Sequence, residues 1–229
     1  MSDPEAIAER ALALRQRIDA AAERAGRDPG TVRILAVTKT WPVEVCRAAL
    51  AAGLPMLGEN RVQEAEPKVA ALPEAEWHLV GGLQSNKVRR AVAAFDVIHS
   101  IDSEALLSRV DRAAHDAGRS PRILLQINTT GEPQKGGLTA AEALRPALAA
   151  ALHSLRHAQP VGLMTIGRAG GDPQAAFAAL RRLRDELEQR GGLPLSELSM
   201  GMSGDWEAAV HEGATLLRIG TALFGRRPA

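Results

Sequence analysis

The stretch Val32-Arg33-Ile34-Leu35-Ala36-Val37-Thr38-Lys39 is apolar at nearly every position and ends on a lysine, just before a turn and Trp41-Pro42, where a helix should start. Such a run reads as a strand covered on both faces, as in parallel sheets, where ligands gather at the carboxyl ends of the strands. Lys39 is thereby delivered to the lip of a sheet. An amine held there and partly desolvated can lose its proton and form a Schiff base with a carbonyl. For this segment alone, a solvated lysine in a strand-to-helix turn is the plainer reading.

The pattern recurs along the chain. Short apolar runs lie at Ile34–Val37, Met56–Leu57, Leu79–Val80, Val97–Ile101, Ile123–Ile127, Val161–Ile166, Leu198–Met202 and Leu216–Ile219, each followed by an alanine- and leucine-rich stretch of helical character. About eight strand-plus-helix units in 229 residues suit a closed (β/α)8 barrel. Ahead of them, Ile7, Leu14, Ile18 and Ala21 fall at helical spacing and predict a leading helix over residues 4–25. Helix starts are marked by the capping box Thr139-Ala-Ala-Glu142, by Asp172-Pro173 and by Ser103-Glu104. Phe177, Leu180, Leu183 and Leu187 form one apolar stripe of a further helix, opposite Arg181, Arg184 and Glu188. The expected fold class is α/β, a single (β/α)8 TIM barrel with an extra N-terminal helix, in one domain spanning 1–229. An open doubly wound sheet is the alternative, but the first strand lacks the Gly-x-Gly-x-x-Gly of a dinucleotide site.

A formal charge of +1 suggests neither a nucleic-acid footprint nor an anionic-membrane patch. Cys46, the one cysteine, rules out an internal disulfide and fits a reducing compartment; within Val43–Leu50, read as helix, it is a packed thiol. No apolar stretch approaches the roughly 20 residues of a membrane span, and Met1-Ser-Asp-Pro-Glu5 lacks the basic region of a secretory signal. The cytoplasm is therefore expected. No metal site is expected either, because the histidines lack ligand spacing. His78 and His99 read as packed, hydrogen-bonded core residues, and His115, His153, His157 and His211 as helix residues without a role.

If the barrel closes, its strand ends converge on one mouth. The polar residues there are Lys39, Glu59, Asn60, Gln84, Ser85, Asn86, Asn128, Thr165, Ser203, Arg218 and Thr221, and among them Lys39 alone is an amine suited to covalent chemistry. Arg218 has a second reading, as ion-pair partner of an acid in the Ser203 loop. Lys135, in Glu132-Pro-Gln-Lys-Gly-Gly137, reads as a solvated loop lysine, with a secondary site at the mouth as its other reading. Ser199-Met-Gly-Met-Ser-Gly-Asp205 and Gly220-Thr221 follow the seventh and eighth strands through small residues. Loops at those two places commonly build phosphate sites in such barrels, although tight turns and a Ser203 N-cap explain each half alone. A Schiff-base lysine on strand one facing a phosphate cradle at strands seven and eight describes a phosphorylated aldehyde held at both ends. Pyridoxal 5′-phosphate (PLP) is such a molecule.

Ala36-Val-Thr-Lys39, Gly58-Glu-Asn-Arg-Val-Gln-Glu64, His78-Leu-Val-Gly-Gly-Leu-Gln-Ser-Asn-Lys87, Gly162-Leu-Met-Thr165, Leu198-Ser-Met-Gly-Met-Ser-Gly-Asp205 and Arg218-Ile-Gly-Thr-Ala-Leu-Phe-Gly225 together resemble the pyridoxal phosphate homeostasis protein family. That family is similar to the N-terminal barrel of alanine racemase, and the resemblance covers about residues 30–227. It implies a fold-type III barrel carrying PLP as an internal aldimine on Lys39. It also implies that Ser203, Gly220 and Thr221 hold the phosphate, with Met202 in the same set, that Arg218 faces the pyridine nitrogen and that Asn60 lies beside the ring. Two positions depart from the pattern: Leu79 stands where an aromatic is expected and Arg61 where tyrosine is frequent.

Two functions of different class fit these residues. One is a small amino-acid racemase; the other is a carrier that buffers or delivers PLP without turnover. Two-base racemisation needs an acid/base group on each face of the bound substrate, and in the racemase resemblance the second is a tyrosine from another domain. This chain has no tyrosine. An arginine at the pyridine nitrogen also disfavours its protonation and weakens the electron sink. The carrier is the expected function, acting as a monomer that passes PLP to apo-enzymes. A class I aldolase would need an acid/base pair beside Lys39, and none is evident.

Overall fold

A computed structural model describes residues 4–167 and 172–225, so the ends of the expected 1–229 domain and residues 168–171 lie outside the description. Eight parallel strands close in sequence order into a barrel: β1 (Arg33–Val37), β2 (Met56–Glu59), β3 (Glu76–Leu79), β4 (Val97–Ile101), β5 (Arg122–Gln126), β6 (Gln159–Met164), β7 (Glu197–Ser199) and β8 (Leu216–Ile219). β1 meets β8 in register, Leu35 opposite Arg218, and this pairing closes the ring. Between strands run α2 (Val43–Ala51), α3 (Val62–Ala71), α4 (Val88–Ala94), α5 (Glu104–Ala117), α6 (Ala140–Ala143), α7 (Pro146–Ser154), α8 (Pro173–Gly191) and α9 (Trp206–His211). α10 (Thr221–Phe224) follows β8, and α1 (Pro4–Arg24) precedes the barrel as the extra helix.

α1 lies against α2, α9 and α10 through Ile7, Ala11, Leu14 and Ile18, all buried. Arg15 Nη1 donates to Val32 O at 2.7 Å, and Arg17 stacks 5.1 Å from the Trp206 ring. The α8 stripe is buried as its spacing predicts, each large side chain contributing about 1.5–3 kcal/mol. The Thr139–Glu142 capping box and the Asp172 and Ser103 N-caps form with their side-chain bonds in place.

The apolar runs depart most from the strands at β3 and β7, and β6 starts and ends two residues before its run. β3 begins at Glu76 because Trp77 packs outward into the helix layer while Glu76 and His78 face the barrel interior, and the polar half of that alternation hid the strand. β7 stops at Ser199 because Gly201, at φ +89°, bends the chain away; a Cβ there would lie 2.5 Å from that of Ala209. α2 begins at Val43, with Pro42 as its N-cap.

The barrel interior is not uniformly apolar. Leu35, Met56 and Leu216 form one small cluster, and Val97, Leu124 and Met164 another. Buried His78, His99, Ser199 and Arg218 belong to neither. At the floor, Arg33 pairs with Glu197, and Arg122 with Glu76 at 2.8 Å.

Candidate functional site

Lys39 sits in a turn after β1 that is held from below. Trp41 N donates to Thr38 O at 3.0 Å, closing the turn, and Thr40 takes φ +67°. A β-branched residue in that region is an outlier, and such strain gathers at functional sites. Three contacts stabilise it: Thr40 N donates to Glu64 Oε1, Lys68 Nζ donates to Thr38 O at 3.1 Å, and Thr38 Oγ1 donates to Glu59 Oε1 at 2.6 Å. Lys68 also reaches Glu59 at 2.8 Å, in a pair where neither side chain is more than 7% exposed. Burial pushes the Glu59 carboxyl up despite the lysine, and its Oε2 is buried with no hydrogen-bond partner. Burial likewise pushes up the Cys46 thiol, which is a packed residue of α2.

Beside this turn, because β8 pairs with β1, lie the loops after β7 and β8. Met202 N donates to Asp205 Oδ1 at 2.5 Å, and Ser203 Oγ accepts from Ala222 N at 3.2 Å, so the two loops are bonded to each other. Ser203 is not the N-cap of the helix that follows its strand, a place Asp205 takes; its hydroxyl instead accepts from the first turn of the short α10. A Cβ on Gly204 would meet nothing within 4 Å, so this loop leaves open space where most residues would fill it. On the β2 side, a Cβ on Gly81 would lie 2.3 Å from Asn60 O, and that close approach seats Asn60 against the end of β3.

Arg218 is 6% exposed. Its Nη1 donates to Ser199 O at 2.7 Å and Ser199 Oγ at 2.9 Å, and its Nη2 to Thr165 O at 2.7 Å. Its hydrogen-bond partners are therefore carbonyls and a hydroxyl, while Asp205, the loop carboxylate of the ion-pair reading, acts on it through its charge. Burial brings its pKa down to about 10, which still leaves a cation at neutral pH.

These elements surround one cavity of about 310 Å³ that Lys39, Asn60, Met202, Ser203, Arg218, Gly220 and Thr221 all line. Val37, Trp41, Val80, Ile166, Gly204 and Gly225 line it too and were not singled out by the sequence reading. Trp41, whose ring is 6.1 Å from that of Phe224, had a signal: it stands two residues beyond the lysine. Among the described residues the lining carries two cations, Lys39 and Arg218, and no carboxylate.

Other residues expected at the mouth go elsewhere. Glu59 faces the helix layer, because Asn60 takes the inward position of that strand end. Gln84 lines a neighbouring groove with Arg61 and Lys87, and Ser85 and Asn86 lie over α4 and α5. Asn128 Nδ2 donates within its own loop to Glu132 O at 3.0 Å, and Thr165 Oγ1 donates to Ile127 O at 2.8 Å. Lys135 is not solvated: its Nζ donates to Gly167 O at 2.8 Å and pairs with Glu132, at 13% side-chain exposure. Leu79 is wholly buried, and Arg61 is exposed at the N-cap of α3. His78 and His99 are buried and bonded to each other, as read; His157 lies in the turn before β6 and not on a helix. Among the described residues there is no cluster of metal-ligating side chains, and no helix is long and apolar enough to cross a membrane.

The chain forms a closed parallel barrel, and the family model of the alanine racemase N-terminal domain matches its residues 11–228. The alanine racemase of Corynebacterium glutamicum superposes with a TM-score of 0.76 at 18% identity, over 99% of this chain and 62% of that one, a likeness of fold. At higher identity, the chain belongs to the pyridoxal phosphate homeostasis protein family. The proteins of that name from Pseudomonas aeruginosa and Synechocystis sp. are 46% and 43% identical to it, covering 96% and 87% of this chain and 96% and 93% of theirs. The structure of PipY from Synechococcus elongatus with PLP bound has a TM-score of 0.85 at 44% identity, over 96% of this chain and all of that one.

Proposed function

We propose that the mouth cavity binds PLP and that the protein holds this cofactor and hands it on. The observation that carries this reading is the placement of Lys39 and Arg218, both cationic or potentially so, with the linked Ser203 and Gly220–Thr221 loops around one cavity. The residues fit the group. Lys39 offers an amine to the aldehyde, and Ser203, Gly204, Gly220 and Thr221 offer small side chains, hydroxyls and open space to the phosphate. Arg218 would face the ring nitrogen as a donor, with Asn60 beside the ring and Met202 among the residues that hold the group, since all three line the cavity. PLP, when bound, supplies the aldehyde carbon and the electron-withdrawing ring.

Storage without turnover is supported by what the chain lacks. It has no tyrosine to serve as a second base, and a fixed guanidinium at the ring nitrogen disfavours ring protonation. The same reading has the protein acting as a cytoplasmic monomer, in line with its one buried thiol, and delivering PLP to apo-enzymes.

The absorption spectrum of the protein mixed with PLP tests the proposal. A visible band that borohydride abolishes, with the reduced adduct found by mass spectrometry on Lys39, is expected. An undiminished band in Lys39→Ala would overturn the assignment. Loss of covalent attachment need not release the ligand, since the phosphate contacts remain, so the spectrum is the decisive readout.

A further inference from the structure

Five interior side chains run from the floor of the barrel to its mouth: Glu76 and His78 on β3, His99 on β4, Ser199 on β7 and Arg218 on β8. We propose that His78 and His99 are positioning residues for Arg218, acting through Ser199 in a hydrogen-bond chain that has a single direction. The inference rests on the reading that the cavity holds PLP with Arg218 toward its ring nitrogen.

The direction follows from the donors available. A guanidinium cannot accept, so Ser199 Oγ accepts from Arg218 Nη1 at 2.9 Å. At the other end Glu76, an ionised carboxylate, can only accept, so with neutral rings the protons sit on His78 Nε2 and His99 Nε2. The Ser199 hydroxyl then donates to the bare His99 Nδ1, 3.0 Å away. A neutral His99 with a bare Nδ1 carries its proton on Nε2 and donates to His78 Nδ1 at 2.9 Å. His78, its Nδ1 now accepting, keeps its proton on Nε2 and donates to Glu76 Oε1 at 2.7 Å. Glu76 closes the chain as a pure acceptor, its other oxygen taking Arg122 at 2.8 Å. Both imidazoles are thus assigned as neutral Nε2–H tautomers, and each donor meets one acceptor.

Charge agrees with this assignment. The groups facing the two rings are Glu76, Arg122 and Arg33 near His78, Arg218 and Arg122 near His99, and Glu197 paired to Arg33. Burial and these arginines hold both histidines below their usual range, and His78 holds the Glu76 carboxyl down to about 2. A second proton on His99 would point at Ser199 Oγ, where Arg218 already donates.

The chain matters to the cavity because it decides which way the Ser199 hydroxyl points. With His99 taking that proton, Ser199 O and Oγ hold both Nη1 hydrogens, and Thr165 O holds one on Nη2. Two of the five guanidinium N–H groups are left for a ligand of the cavity that Arg218 lines. With no acceptor at position 99, the hydroxyl can turn its proton toward the guanidinium, and Arg218 loses a fixed aim.

The experiment has two arms. Histidine-selective 15N labelling of the protein without PLP should show His78 and His99 as neutral Nε2–H tautomers from pH 6 to 9; an Nδ1–H tautomer or a cation at either would overturn the chain. PLP is then titrated into wild-type protein, His99→Leu, His99→Gln and Ser199→Ala. His99→Leu and Ser199→Ala should bind about tenfold more weakly and shift the visible band, the loss expected of one charge-assisted hydrogen bond. His99→Gln, whose amide can accept from Ser199 and donate to His78, should recover most of both. Ser199→Ala removes little volume and keeps the test open if His99→Leu fails to fold. If His99→Gln and His99→Leu behave alike, or neither His99→Leu nor Ser199→Ala moves the band, the positioning role fails. No uptake of PLP by wild-type protein would instead overturn the cofactor reading itself, with the tautomers still reporting on the chain.

Discussion

Lys68 Nζ, on α3, donates to the carbonyl of Thr38, the residue that precedes the strand-end lysine, at 3.1 Å. The same ammonium reaches Glu59 at 2.8 Å and Glu64 at 3.3 Å, so one buried cation organises the floor under the Lys39 turn. Removing one member of a buried pair leaves an uncompensated charge, which costs about 3–5 kcal/mol. Lys68→Met should therefore destabilise the protein by about that much, and Lys68→Met with Glu59→Gln by clearly less, measured by urea denaturation. Purely additive losses would show that the two do not act as a pair. The single substitution should also slow reductive fixation of PLP on Lys39, because the turn loses the contact that fixes Thr38 O.

Gly201 tests how the cradle is placed. It combines φ +89° with a Cβ position 2.5 Å from Ala209 and 3.0 Å from Leu217 Cδ2. Gly201→Ala meets both backbone strain and overpacking, and should cost about 2–4 kcal/mol in the same denaturation assay. Gly204→Ala, with nothing within 4 Å, should leave stability nearly unchanged and weaken PLP binding by filling the cradle.

The pH dependence of stability has a definite sign. His78 and His99 are held below their ordinary value of 6.5, chiefly by burial, so below pH 6.5 the unfolded chain binds protons that the folded chain refuses. Stability should fall as pH drops from 6.5 to 5, with a slope of up to roughly 2.7 kcal/mol per pH unit for two such groups. Glu76, lowered from 4.5 to about 2, adds a further loss only below about pH 4.5. Denaturant midpoints at pH 7 and 5 for wild type and His99→Gln check this: the variant should lose about half the slope.

Much of the architecture was legible because parallel strands are apolar on both faces, and six of the eight runs fell within two residues of their strands at both ends, the exceptions being β3 and β7. β3 was harder: Glu76 and His78 put polar groups inside the barrel, against the usual inference from polarity to exposure. The cavity-lining residues were legible where they stand in small-residue turns, as Ser203 and Gly220 do. Glu59 was misplaced because adjacent Glu59 and Asn60 are both polar, and sequence alone does not say which of two neighbours on a strand faces in. The same parity problem hid the chain from Glu76 to Arg218. Its four strands contribute one or two residues each, and only the closed ring brings β3 and β4 against β7 and β8.

The phosphate reading predicts a selective loss. Ser203→Ala with Thr221→Ala should weaken PLP binding by more than it weakens pyridoxal, by tenfold or more at about 1.5–3 kcal/mol per charge-assisted bond. Equal losses for the two ligands would place the phosphate elsewhere. Because Ser203 Oγ also caps Ala222 N, a Ser203→Thr control keeps the hydroxyl and should retain the preference.

Storage and catalysis separate in one assay. With PLP bound, the protein should exchange the α-hydrogen of alanine with solvent deuterium no faster than free PLP plus amine does. The chain has no tyrosine to act on the second face, and on the proposed reading Arg218, held by Ser199 and Thr165, would place a positive charge where ring protonation would be needed. A carboxylate in its place would reverse that electrostatic bias. Arg218→Glu should therefore raise ring basicity and change the visible spectrum, and also weaken binding, since it brings a negative charge into a cavity otherwise lined by cations and neutral groups. When wild-type holoprotein is mixed with an apo-enzyme that requires PLP, activity should appear in that enzyme at a rate set by release from Lys39. Deuterium exchange far above the free-PLP background in wild-type protein would sink the carrier reading and favour a racemase, whose second base would then have to be sought among residues other than tyrosine.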